Sequence, residues 1–150
     1  MSEGARELAA QIELLFRYLA ARQGDLGEPD EPSHLTATQR AALAVVADEG
    51  PLRLGTLAAR LGISDPTATR AVDALEVSGL AERVPDEDDR RAVRVASTAP
   101  GRRLIRRRRE RLVQLLEEPL AHLAGEERER VVEVLAGLNE VLAGSPAASR

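Results

Sequence analysis

Residues 54–83, LGTLAARLGISDPTATRAVDALEVSGLAER, constrain this chain more than any other stretch. Leu57, Ala58 and Leu61 fall at helical spacing, and Gly62 supplies the left-handed residue on which a short helix stops. Ile63 is an apolar plug in the turn. Ser64 stands where it can cap a second helix, with Asp65 and Pro66 in the first turn behind it. Cap, acid and early proline in that order are a helix-start signal. Ala68, Ala71, Val72 and Leu75 share one face of this second helix, and its other face carries Thr67, Thr69, Arg70 and Asp73. Gly79 closes it. Two short helices around a tight turn, the second polar on its outer face, read as a helix-turn-helix.

The next twenty residues narrow the class. Residues 80–85 (LAERVP) read as a strand, 86–91 (DEDDRR) as a charged loop, and 92–97 (AVRVAS) as a second strand with Val93 and Val95 on one side. Residues 52–54 can add a short third strand. A helix-turn-helix followed by a charged hairpin is a winged helix-turn-helix. Its wing places a cationic side chain in the minor groove of a duplex, beside the major groove that holds the second helix.

The flanks read as helices. Leu8, Ile12, Leu15, Phe16 and Leu19 form a stripe over residues 3–22. Residues 23–33 (QGDLGEPDEPS) form a loop. Thr36 with Gln39 makes a capping box for a helix to about Glu49, which Gly50-Pro51 breaks. A long helix starts at residues 98–101, with Leu104, Ile105, Leu112, Val113, Leu116, Leu120 and Leu123 on its apolar face. Pro119 predicts a kink or an end near Glu118. Residues 126–142 form the last helix, with Val131, Val134, Leu135, Leu138, Val141 and Leu142 expected inward, and residues 144–150 read as a disordered tail. The expected class is mainly α (α+β).

A chain of 150 residues is one domain's worth. With one Phe, one Tyr and no Trp, its core must be built from Leu, Val and Ala. The absence of cysteine excludes disulfides, thiol sensing and Cys-based metal centres. The longest apolar run, residues 41–47, is far too short to span a bilayer, and the N-terminus carries no export signal, so a cytoplasmic location is expected. The net charge of −4 is unevenly spread. Residues 1–35 and 117–150 each hold seven acids and three arginines, whereas residues 36–116 hold fifteen arginines against eleven acids. All 21 basic residues are arginine, which pairs bidentately with phosphate or guanine.

The run LTATQRAALAVVADEG, followed by LAARLGISDPTATRAVDALEVSGLAERVPDEDDRRAVRVASTAPGRRLI, resembles the MarR family of bacterial transcriptional regulators. The matching motifs are Leu35-Thr36-x-x-Gln39, Leu57-Ala58-x-x-Leu61, Thr69-Arg70, Leu75-x-x-x-Gly79-Leu80-x-x-Arg83 and Asp89-x-Arg91. The resemblance spans residues 5–143. It implies a single domain over residues 1–150, a winged helix-turn-helix at 36–98, and dimerisation helices at 3–22 and 99–143. It also implies a homodimer, often regulated by a small ligand held between the dimerisation and DNA-binding parts. Without cysteine, the chain falls outside the family branch that senses peroxides.

Within that frame, Ser64, Pro66, Thr67, Thr69 and Arg70 are the positions expected to face the groove, and Arg70 suits guanine or phosphate. Thr69 has local packing as its alternative role. Asp65 reads as a cap helper. At the wing, Arg90 and Arg91 are the candidate contacts, and the family pattern implies that Asp89 holds Arg91. The seven arginines in residues 102–111 read first as structural pairing partners and second as contacts to the DNA backbone. Phe16, Tyr18 and His34 are candidates for a ligand cavity, although Phe16 is more simply core. No metal site, cofactor motif or catalytic constellation is expected; His34 and His122 are the only histidines.

The expected function is sequence-specific binding of double-stranded DNA by a homodimeric, ligand-responsive repressor. Its recognition helices would enter successive major grooves of a pseudo-palindrome, roughly 34 Å apart. The effector would be a small aromatic or anionic molecule. The acidic wing and net negative charge motivate an alternative, a helical dimeric module that binds a ligand or partner and has lost DNA binding.

Overall fold

The computed structural model describes residues 2–22, 32 and 35–144. The elements run α1 (Glu3–Ala21), α2 (Ala37–Glu49), β1 (Leu52–Arg53), α3 (Leu54–Leu61), α4 (Asp65–Val77), β2 (Ala81–Pro85), β3 (Val93–Ser97), α5 (Ala99–Ala121) and α6 (Gly125–Gly144).

The start and stop signals act as their chemistry demands. Thr36 Oγ1 accepts the Gln39 N–H at 3.2 Å and Gln39 Oε1 accepts the Thr36 N–H at 2.9 Å, so the capping box opens α2. Gly62, at φ 63°, ψ 34°, ends α3. Ser64 Oγ then accepts the Thr67 N–H at 3.3 Å and opens α4. The three strands form one antiparallel sheet in the order β1-β3-β2. Leu52 pairs with Val95 and Arg53 with Arg94, while β2 and β3 pair from Ala81–Ser97 to Pro85–Val93.

The core lies between α2, α3, α4, the sheet and the first turns of α5. Leu43, Val46, Leu57, Val72, Leu75 and Val95 are fully enclosed there, and Leu104 and Ile105 close it from α5. At this junction Thr98 Oγ1 donates to Gly79 O at 2.7 Å and the Thr98 N–H donates to Leu80 O at 3.0 Å. The start of α5 is thereby fastened to the turn that follows α4.

Two expectations differ from what is observed. The stripes of α1 and α6 exist, but among the described residues neither helix buries a side chain in the protomer: Phe16 is 66% exposed and Val134 is 62% exposed. Periodicity gives a helix an apolar face without saying which molecule covers it. Val93 and Val95 share a side of β3 as expected; Val95 is 1% exposed and Val93 52%, because Val93 lies beyond the core at the wing end of the sheet. Pro119 stands in the last turn of α5, and the helix stops at Ala121, three residues past the expected end; the N–H that proline lacks would have bonded Leu115 O, so the bond is lost from the turn before it.

Candidate nucleic-acid interface

Helix α4 holds its core face through Ala68, Ala71, Val72 and Leu75. That anchoring directs Ser64, Pro66 and Arg70 to solvent and leaves Thr67 and Thr69 half-buried. Ser64 Oγ lies 2.9 Å from Thr67 Oγ1, and Thr69 Oγ1 donates to Asp65 O at 2.9 Å. The Thr69 proton is therefore spent on its own helix, and the hydroxyl can offer a partner only its lone pairs.

The arginines between α2 and α5 fall into two groups. Arg60 Nε donates to both carboxylate oxygens of Glu49, at 3.0 and 3.1 Å, joining α3 to α2. Arg83 pairs with Glu76 and, at 2.8 Å, with Asp73, joining β2 to α4. Those carboxylates push the Arg83 guanidinium above its ordinary value. Arg53 and Arg94 are likewise ion-paired. Arg70, Arg90 and Arg91 are different: they are exposed, and no described residue neutralises their guanidinium groups. All three lie on α4 or the wing loop.

The acids of the wing are mostly engaged with the protein itself. Asp86 Oδ2 accepts Arg53 Nε at 2.6 Å and lies 3.1 Å from Arg94 Nε. Asp88 pairs with Arg94 at 3.0 Å, and Asp89 Oδ1 accepts the backbone N–H of Arg91 at 3.0 Å. Asp89 thus contacts the main chain of Arg91 and leaves its guanidinium alone. Sequence reasoning missed Asp86, which looks like one acid in a run of four. The signal lay in the strand register, which sets Arg53 and Arg94 side by side and so demands an anion between them.

The two guanidinium groups, with the Asp88 N–H, hold the Asp86 carboxyl well below its ordinary value of 3.8. A carboxyl lowered on folding stabilises the fold above its unfolded value, and that contribution fades as pH falls toward the folded value. Asp86→Asn is therefore expected to lower the unfolding midpoint at neutral pH, with the two midpoints converging as pH falls below about 3.8. Thermal unfolding of both proteins across an acid series checks this.

The arginine-rich start of α5 is used in part for intramolecular ties. Arg102 Nη1 donates to Ser97 O at 2.6 Å, and Arg109 grips both oxygens of Asp48 at 2.5 and 2.8 Å, joining α5 to α2. Arg109 lowers the Asp48 carboxyl below its ordinary value. Beside this pair, a cleft of about 270 Å³ opens between α2 and α5, lined by Arg40, Ala41, Ala44, Ile105, Arg108, Arg109 and Leu112. Phe16 and Tyr18 stand exposed on α1 and do not line it, and His34 lies outside the described residues. Among the described residues, no group of three or more His, Cys, Asp or Glu could hold a metal ion, and no helix is long and apolar enough to cross a membrane.

A capped recognition helix with an unpaired arginine, followed by a hairpin with two more, defines a winged helix-turn-helix protein of the DNA-binding class. Comparison with known proteins gives the family. Residues 35–93 match the MarR family. An uncharacterised HTH-type transcriptional regulator of Mycobacterium bovis is 32% identical over 129 residues, covering 86% of this chain and 88% of that protein. YfiV of Bacillus subtilis, also an uncharacterised HTH-type transcriptional regulator, is 31% identical over 72% of this chain and 68% of its own. Among solved structures, RV1404 of Mycobacterium tuberculosis superposes with a TM-score of 0.77 at 27% identity, over 99% of this chain and 100% of that one. FabT of Streptococcus pneumoniae in complex with DNA shares the fold at a TM-score of 0.76 and 20% identity, over 93% of this chain and 97% of its own. The chain belongs to the MarR family of HTH-type transcriptional regulators. DNA binding as a dimer and response to ligands are typical of that family.

Proposed function

We propose that the protein is a homodimeric repressor that reads a pseudo-palindromic operator. In this reading α4 enters the major groove, with Ser64, Pro66, Thr67, Thr69 and Arg70 at the surface of the duplex. The wing loop reaches the adjacent minor groove through Arg90 and Arg91. Residues 36–98 form the DNA-binding part, and α1, α5 and α6 the dimerisation part. The carrying observation is the charge partition: Arg53, Arg60, Arg83 and Arg94 are neutralised within the protein, whereas Arg70, Arg90 and Arg91 are left facing solvent. The ion-paired Asp86 and Asp88 also remove part of the wing's repulsion for phosphate. FabT, which shares the fold, is held on DNA. The apolar α2–α5 cleft with its rim of arginines suits a small anionic effector that releases the operator.

The test is a titration against duplex from the protein's own upstream region at two salt concentrations. Selection from a random library supplies the duplex if that region is not bound. A base-reading arginine contributes about 1–3 kcal/mol, and a homodimer loses two contacts per substitution, so Arg70→Ala or Arg91→Ala should weaken operator binding by roughly 30-fold or more. Parent affinity should fall steeply with salt, with a shallower slope in either variant. Unchanged affinity in both variants would remove the contact assignment.

A further inference from the structure

We propose that Asp86 is the positioning residue of the wing: it fixes the wing loop to the helix-turn-helix and thereby sets where Arg91 meets the duplex. This rests on the reading above that Arg91 is a wing contact.

Arg53 of β1 and Arg94 of β3 are direct cross-strand partners, an arrangement of like charges that destabilises a sheet on its own. The Asp86 carboxylate lies between them with its side chain fully enclosed. Oδ2 takes Arg53 Nε at 2.6 Å and Arg94 Nε at 3.1 Å, and Oδ1 takes Arg94 Nη2 at 3.2 Å. Oδ1 also accepts the backbone N–H groups of Asp88 at 2.9 Å and Asp89 at 3.3 Å. One carboxylate therefore ties two strands to the main chain of the wing loop.

The same loop is closed by the Asp86 N–H on Ala92 O at 3.1 Å and by the Ala92 N–H on Asp89 O at 2.9 Å. Asp89, placed by these bonds, receives the Arg91 N–H. The Arg91 guanidinium has no protein partner among the described residues, so its position comes from its backbone, and that backbone is set from Asp86. Arg53 is also the residue from which α3 starts, so the anchor reaches the helix-turn-helix directly. Asn at position 86 keeps one acceptor for the loop amides but leaves no anion between Arg53 and Arg94, with only the exposed Asp88 still paired to Arg94.

The experiment is a double-mutant cycle on the full chain, with a duplex selected by the parent protein. Affinities are measured for D86N, R91A, R70A, D86N/R91A and D86N/R70A, with dimer size checked for each. R91A is expected to lose roughly 30-fold or more, and D86N a comparable amount. The D86N/R91A double should then be little worse than R91A alone, while the D86N and R70A losses should multiply. Hydrogen exchange should quicken more at the Asp88, Asp89 and Ala92 amides of D86N than in α4, where it follows only the loss of global stability.

Multiplying losses for D86N and R91A would overturn the proposal, because Asp86 would then act elsewhere than through Arg91. Parent-like affinity in D86N would overturn it too. R91A binding as tightly as the parent would instead remove the wing contact itself, and the positioning role with it. If D86N does not fold, R53Q carries the same cycle, since Arg94 still neutralises the carboxylate while the tie to β1 is cut.

Discussion

Gly101→Ala is expected to be among the most damaging single-methyl changes available in this protein. Gly101 lies in the first turn of α5, buried against the turn that follows the recognition helix. A Cβ there would collide with Leu80 O and stand 3.0 Å from both Leu80 C and Leu43 Cδ1. The Leu43 methyl can shift, but Leu80 O cannot easily do so, because it accepts the Thr98 N–H at 3.0 Å. Overpacking costs about 1–3 kcal/mol, and the better helix propensity of alanine offsets about 1. With a backbone atom in the way we expect a net loss of about 2 kcal/mol, or roughly 4–8 °C in Tm at equal protomer concentration. Gly55→Ala in α3 is the control: its Cβ meets nothing within 4 Å, so it should be stabilising by about 0.5–1 kcal/mol. Denaturant or thermal unfolding of the two variants decides the matter; an undisturbed G101A protein would mean that the α5 junction is looser than its contacts imply.

The second large effect concerns assembly. Val131 and Leu135 stand one turn apart on α6, 41% and 50% exposed, and no core side chain depends on them. The double change Val131→Glu with Leu135→Glu should therefore leave the 35–105 core folded while preventing two copies from burying their apolar helices together. The monomer would keep each Arg70 and Arg91 but lose the gain of engaging two half-sites at once, about 10²- to 10⁴-fold in operator affinity. Sedimentation and DNA titration on the same sample test both halves of this expectation. A monomer that binds the full operator as tightly as the parent would remove the two-half-site reading.

Local chemistry was readable in the sequence wherever it is carried by neighbours in the chain. Thr36 with Gln39, Gly62 and Ser64 each act within four residues of their own position, so the helix ends they set were legible. The exposed arginine of α4 was legible for the same reason, since helical period alone separates Arg70 from Val72 and Leu75. What depends on pairing between distant segments was not. Asp86 matters because Arg53, 33 residues earlier, is brought opposite Arg94, and no local pattern states that register. The fate of Phe16 was hidden for a different reason. Its stripe is apolar, but periodicity alone does not reveal that no described residue covers it.

Helix α5 is longer than any other described helix. Its 23 residues extend about 35 Å at 1.5 Å per residue, from a start clamped by Thr98 and Gly101 to an end beside α6. A rigid rod of that length converts angle into travel: a tilt of about 5° at one end moves the other by roughly 3 Å. Successive major grooves are spaced roughly 34 Å apart, and side chains reading base edges tolerate far less than 3 Å of error. The rod and its clamp together make α5 a lever, long enough that small rotations among the outer helices amount to a change of register on the duplex.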